Sequence, residues 1–121
     1  MRWTVLTTDE FDTWFSARSP KAQAKLDTHI LMLESAGPTL PARYSKPIVT
    51  SRHAVRELRV QVGGDPYRVL RVFDPRRNVI LLVGGDKTGD DRWYDKHVPL
   101  ADKLHDAHLA ELDERKDKED G

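Results

Sequence analysis

Three strand-like runs, at about 55–62, 67–73 and 78–83, are separated by connections too short for anything but antiparallel turns. Gly63-Gly64-Asp65-Pro66 joins the first to the second, and Asp74-Pro75-Arg76-Arg77-Asn78 joins the second to the third. Both are dense in residues that favour turns. A parallel crossover needs about a dozen residues or more, so the middle of the chain is predicted to be an antiparallel β-meander. The third run, Val79 to Val83, is apolar on both faces and is predicted to be the central, most buried strand.

The flanks read as helical. Residues 2–6 alternate well enough for a first strand. Thr7 and Glu10 have capping-box spacing, and a helix over 9–17 follows with Phe11, Trp14 and Phe15 on one face. Ser19-Pro20 supplies an N-cap and a proline at the first helical position. Ala22, Leu26, Ile30 and Leu33 form the stripe of this second helix, and Gly37-Pro38 stops it. The short link makes the two a helical hairpin. Residues 38–54 carry three prolines and no periodicity, which reads as an exposed loop bearing Arg43, Lys46, Arg52 and His53. Gly84 to Gly89 reads as a bend leaving the sheet. A last helix is expected over much of 92–114 with Leu100, Leu104, Ala107 and Leu112 inward, and Pro99 must start, kink or interrupt it. Residues 114–121 are nearly all charged and read as a disordered tail. The predicted order is β-α-α-β-β-β-α in one domain, residues 1–113. This is an α+β fold with a mostly antiparallel sheet, the helical hairpin on one face, and the other face partly open beside a C-terminal helix.

Composition narrows the class. The 121 residues hold no cysteine, which excludes disulfide frameworks and cysteine-based zinc sites. No apolar run approaches the roughly 18 residues of a membrane span. Asp9, Glu10 and Asp12 break any secretory leader, so a cytoplasmic protein is expected. The formal net charge of zero hides an asymmetry. Residues 1–88 hold 14 Lys+Arg against 9 Asp+Glu, whereas residues 89–121 hold 6 against 11. Residues 43–77 alone hold 9 basic and 3 acidic side chains, the pattern of an anion-binding face followed by a solvated or partner-binding end.

Arginine alternates with apolar residues in Arg56-Glu57-Leu58-Arg59 and again in Tyr67-Arg68-Val69-Leu70-Arg71. Strand parity puts part of this set on one sheet face, where arginine is costly unless it meets an anion or a carboxylate. Phosphate matches clustered guanidiniums best, which points to an RNA- or phosphate-handling surface. In a regular strand Arg68 and Arg71 face opposite ways. One of them is then structural, with Glu57 or Asp74 as a possible partner.

The order of elements and four short motifs resemble the RelE/ParE superfamily of toxins from type II toxin–antitoxin systems, in its HigB-like, phage-derived branch. The motifs are Glu57-Leu58-Arg59, Tyr67-Arg68-Val69-Leu70, the apolar run Val79 to Val83, and Gly84-Gly85-Asp86-Lys87-Thr88. Asp91 to His97 is loosely like an Asp-Tyr-His cluster of some HigB toxins. Two departures stand out: family toxins are usually strongly basic, and their Gly-Phe-x-Lys-Lys bend here reads Gly-Gly-Asp-Lys. The resemblance implies a RelE-like fold and a ribosome-dependent mRNA endoribonuclease that inhibits translation. It also implies a cognate antitoxin, often a helix-turn-helix protein of the HigA type.

RNA cleavage by internal attack needs a base for the 2′-hydroxyl proton, cations for the phosphorane, and an acid for the departing 5′-oxygen. The sequence offers no HExxH motif and no carboxylate cluster of metal spacing, so a route without metal or other cofactor is expected. Arg59, Arg68 and Lys87 are the candidates for phosphate binding, with Arg68 favoured over Arg71 by the resemblance. Tyr94, His97 and His53 are the candidates for proton transfer. Arg43, Lys46, Arg52, His53, Arg56 and Arg71 are candidate RNA contacts. His29, His105 and His108 are expected at the surface or its boundary, and Trp3, Phe11, Trp14 and Phe15 in the core. Two other functions share the fold or the charge pattern: a gyrase poison of the ParE type without nuclease chemistry, and an inactive RNA- or partner-binding module.

Overall fold

The computed structural model describes residues 2–120, with side chains as far as residue 113. Strand β1 (Thr4–Thr7) leads into helices α1 (Asp9–Ser16) and α2 (Pro20–Ala36), then a 3₁₀ turn over Gly37–Thr39. Strands β2 (Ser45–Pro47), β3 (Arg56–Val62), β4 (Asp65–Phe73) and β5 (Asn78–Asp86) follow, and helix α3 (Trp93–Asp120) ends the chain. The expectation of a disordered tail over 114–121 falls on residues whose side chains, and for Gly121 the backbone, lie outside the described ones.

The sheet has five strands in the order β1-β5-β4-β3-β2. The meander β3-β4-β5 is antiparallel, as its turns require, and β1 adds to β5 in parallel. Two details depart from expectation. The segment 38–54 is not all loop, because Ser45–Pro47 pairs with β3 as a short edge strand. The middle position belongs to β4, although β5 is the most continuously buried strand, from Val79 to Gly85.

Local chemistry sets the helix starts. Ser19 caps α2 by accepting from Ala22 N, as expected. The cap of α1 is Thr8, one residue later than the sequence suggested, and its Oγ1 accepts from Phe11 N at 3.0 Å. That hydroxyl also donates to Leu82 O at 2.6 Å, which fixes α1 against β5.

Helices cover both faces of the sheet, so the second face is not left open. One core joins Phe11, Leu26 and Leu33 of the hairpin to Leu58, Val60, Val69, Val79 and Leu81. The other joins Trp93, Val98 and Ala101 of α3 to Leu70, Val72, Ile80, Leu82 and Val83. The β4–β5 register shifts between Leu70 and Arg71, because Leu70 pairs with Val83 and Arg71 with Leu81. Skipping Leu82 inverts the parity of β5 beyond that point. Gly84 and Gly85 then lie inside β5 instead of forming a bend. A Cβ on Gly84 would stand 2.4 Å from the Trp14 ring, and one on Gly85 would stand 2.3 Å from Trp93 Nε1. The two glycines make room for two indoles on opposite faces.

The inward face of α3 is also rotated from its expected position. Leu100 is exposed, whereas Asp102 and His105 are buried along with Val98 and Ala101. The segment before β3 covers these polar groups: Ser51 Oγ donates to Asp102 Oδ1 at 2.5 Å, and the His53 and His105 rings meet at 4.3 Å. Pro99 sits inside α3, which continues past it. His29 is likewise buried, with its Nδ1 3.0 Å from Lys25 O and Tyr44 against its ring.

Candidate active site

The β3–β4 register sets Arg59 directly opposite Arg68, and Glu57 shares the face of Arg59 by strand parity. The first turn of α3 covers this patch. Trp93 is keyed into the space beside Gly85, and the next residue, Tyr94, donates its hydroxyl to Glu57 Oε2 at 2.5 Å. The Glu57 carboxylate also pairs with Arg59 Nε and Arg68 Nε, each at 3.7 Å. Lys87, just past β5, places its Nζ 3.4 Å from Tyr94 Oη and 5.0 Å from the ring centre. The structure thus brings Arg59, Arg68 and Tyr94 together around one carboxylate, with Lys87 beside Tyr94.

Glu57 and Arg68 are 5% and 4% exposed, so both charges are held away from water. Arg68 donates from Nη1 to Tyr67 O at 2.9 Å, while its buried Nε has no hydrogen-bond partner beyond the looser ion pair. Burial raises the pKa of the Tyr94 hydroxyl, with the hydrogen bond and charge of Glu57 adding to it and Arg68 opposing. Tyr94 therefore keeps its proton at neutral pH. Three cations and one carboxylate leave the patch with an excess of positive charge, which suits an anion.

The other sequence candidates lie elsewhere. His97 sits one turn beyond Trp93, stacked on its indole at 4.3 Å and 12°. Its Nδ1 is 2.7 Å from Trp93 O, and because a carbonyl only accepts, that nitrogen carries the proton. Arg56 and Arg71 pair across β3 and β4 on the hairpin face, the opposite side of the sheet. Both guanidiniums converge on Ser45 Oγ, at 3.1 and 2.5 Å. Arg71 is 1% exposed and stacks over Phe73, so it is closed to RNA. Its Nε and Nη1 find no hydrogen-bond partner, and burial, with Arg56 beside it, lowers its pKa to about 10. Arg52 and His53 both bond Asp106 of α3, His53 Nε2 at 2.7 Å. They tie the segment before β3 to the helix. Arg43, just before β2, and Lys46, within it, remain exposed.

Sequence reasoning treated Glu57 as a possible counter-ion and not as a member of the site. Its place between Arg56 and Arg59 on one alternating strand was the available signal. Among the described residues no three His, Asp or Glu side chains gather closely enough to hold a metal ion. No described helix is long and apolar enough to cross a membrane.

The profile of the family described as "Phage derived protein Gp49-like" matches residues 13–106. The chain belongs to the phage-derived Gp49-like family. Two curated relatives of this Gp49-like chain come from Mycobacterium tuberculosis (strain ATCC 25618 / H37Rv), and both carry toxin names. HigB3 is 38% identical over 112 residues, covering 88% of this chain and 93% of the relative. HigB2 is 31% identical over 119 residues, covering 96% of this chain but 59% of the longer relative. The fold of the Gp49-like chain is also that of solved RelE toxins. A chain of the RelBE2 toxin–antitoxin complex of M. tuberculosis aligns with a TM-score of 0.56 at 20% identity, covering 71% of this chain and 99% of that one. Free E. coli RelE, in a double-arginine mutant, aligns at the same TM-score with 9% identity, covering 75% and 90%. By family and fold, this Gp49-like protein is a toxin of the RelE/HigB type.

Proposed function

We propose that this toxin is an mRNA endoribonuclease that works without a metal ion and inhibits translation. The convergence of Arg59, Arg68 and Tyr94 on the buried Glu57 carries the reading, with Lys87 beside Tyr94. In this mechanism Glu57 takes the proton of a 2′-hydroxyl. The freed 2′-oxygen attacks the adjacent phosphorus, and Arg59, Arg68 and Lys87 stabilise the charge that builds on the phosphorane oxygens. Tyr94, held protonated, gives its proton to the departing 5′-oxygen. The products are a 2′,3′-cyclic phosphate and a 5′-hydroxyl. Tyr94 must turn from Glu57 toward the leaving group as RNA enters, which frees the carboxylate to act.

The substrate is mRNA on the ribosome, in the cytoplasm, and the neutralising partner is an antitoxin of the helix-turn-helix, HigA-like kind. The HigB names of the relatives and the toxin–antitoxin complex among the structural neighbours support that setting. The test is to induce the wild type and an Arg68→Ala, Lys87→Ala double variant and map mRNA 5′ ends minutes later. New ends within translated codons, present only with the wild type, are expected. Growth arrest without new ends would overturn the nuclease reading in favour of a gyrase-type inhibitor. Neither arrest nor cuts would leave a binding module.

A further inference from the structure

One cationic cavity shares Arg59 and Arg68 with the chemistry above and extends beyond it to residues that chemistry does not use. Strand β2 covers β3 only from Arg56 to Leu58, so the edge of β3 is open beyond it except where Arg59 N donates to Tyr44 O at 2.8 Å. A cavity of about 570 Å³ lies there. Its walls are Lys25 and His29 from α2, Arg43 and Tyr44 from the chain entering β2, and Arg59 and Arg68 from the sheet. Its volume falls within the range of about 300–1,000 Å³ common for small-molecule sites.

The lining is chemically one-sided. None of its residues is a carboxylate. Arg59 and Arg68 meet Glu57, but among the described residues neither Lys25 nor Arg43 makes an ion pair. Arg43 instead places its guanidinium carbon over the Tyr44 ring, 4.7 Å from its centre, and Tyr44 meets the His29 ring edge-on at 5.4 Å. Unpaired cations beside a stacked ring and guanidinium fit a ligand that is anionic at one end and a flat aromatic at the other. Bases stack on such surfaces whatever their sequence.

We infer that this cavity holds the nucleotide next to the scissile phosphate of a single-stranded RNA. Lys25 takes its phosphate together with Arg59, which faces both sites, and the Tyr44–Arg43 pair stacks its base. The inference rests on the ribonuclease reading and extends it: the enzyme grips two consecutive phosphates across the edge of β3.

Binding of a five-residue 2′-O-methyl RNA, which cannot be cut because the attacking hydroxyl is blocked, tests this by fluorescence anisotropy on the full chain. The variants Lys25→Ala and Arg43→Ala replace exposed side chains, Tyr44→Leu removes the stacking ring, and Lys87→Ala probes the catalytic site. Lys25→Ala and Arg43→Ala are each expected to weaken binding about tenfold. Lys25→Ala should also lower the slope of log affinity against log salt by about 0.7, the share of one single-strand phosphate contact. Tyr44→Leu should weaken binding about tenfold with the slope unchanged. If Tyr44→Leu does not fold by circular dichroism, the two exposed variants decide. Wild-type affinity in Lys25→Ala and Arg43→Ala, with a loss in Lys87→Ala, would overturn the subsite and leave the ribonuclease reading standing. A wild type that binds no free RNA at all would overturn the subsite, and the ribonuclease reading would still stand or fall with the mapped mRNA 5′ ends.

Discussion

Glu57 holds two roles that substitution can pull apart. As the counter-ion of Arg68 it keeps a guanidinium that is only 4% exposed from being an unpaired buried charge. In the proposed mechanism it is also the base that accepts the 2′-hydroxyl proton. Glu57→Gln keeps the shape and removes the charge. Two unit charges about 4 Å apart attract by about 4 kcal/mol at an effective dielectric of 20. Breaking one side of a buried pair costs about 3–5 kcal/mol, because the other charge is stranded. Both partners are almost fully buried, so this estimate needs little correction for solvent. Loss of a general base adds a drop of about 10²–10⁴ in cleavage rate. Stability is read by urea unfolding and the rate on a ribosome-bound mRNA. The double variant Glu57→Gln, Arg68→Met removes the stranded charge and should regain most of the stability. Its activity should stay low. Glu57→Gln with wild-type cleavage would refute the base, and a double variant as unstable as the single would refute the counter-ion argument.

Three further outcomes are expected. Gly85→Ala sets a Cβ 2.3 Å from Trp93 Nε1, where ordinary contact begins at 3.4 Å, so the indole must retreat by about 1 Å. Thermal melts should show a loss of about 1–3 kcal/mol, and cleavage should fall further than stability because Tyr94 moves with its neighbour. Arg71→Met should leave RNA binding unchanged and stability equal or higher, since it removes a desolvated guanidinium that has Ser45 but no carboxylate; a fall of more than about 2 kcal/mol would contradict this. His105 has its pKa lowered from 6.5 by burial, then by His53 and His108 against the opposing pull of Asp106 and Asp102. The unfolded chain then binds the proton first, so stability is full above pH 6.5 and is lost as pH falls below it, and His105→Leu should flatten that part of a urea-unfolding pH profile.

What could be read from the chain alone followed local chemistry. Ser19-Pro20 marks its helix start in any context, because the hydroxyl and the fixed φ act within one turn. The meander was legible because its turns exclude every other connection. Thr7 and Thr8 offer the same hydroxyl, so the sequence could not choose between them. Ser45–Pro47 is too short to show alternation. The glycines of β5 carry the same letters as a bend, and only Trp14 and Trp93, far away in sequence, turn them into packing space. The inward face of α3 was hidden because Asp102 and His105 look like solvent residues until Ser51 and His53 cover them. In the site, the arginines, Lys87 and Tyr94 stood out by type and spacing. Glu57 did not, because a carboxylate between basic residues reads as surface charge when burial is unknown.

The parallel pairing of β1 with β5 sets an order of events at synthesis. Thr4 finds its partner only at Asn78, and the Thr8 hydroxyl finds Leu82 across 74 positions. At roughly 5–20 residues per second, the first strand and helix wait several seconds beside the ribosome before their strand is made. Such long-range closure also slows folding itself. Lys87 and Tyr94 emerge later still, and the helix that brings Tyr94 to Glu57 follows every strand of the sheet. The Glu57 patch therefore assembles only after every strand of the sheet has been made, since Glu57 of β3 waits for Lys87 and Tyr94, which follow β5.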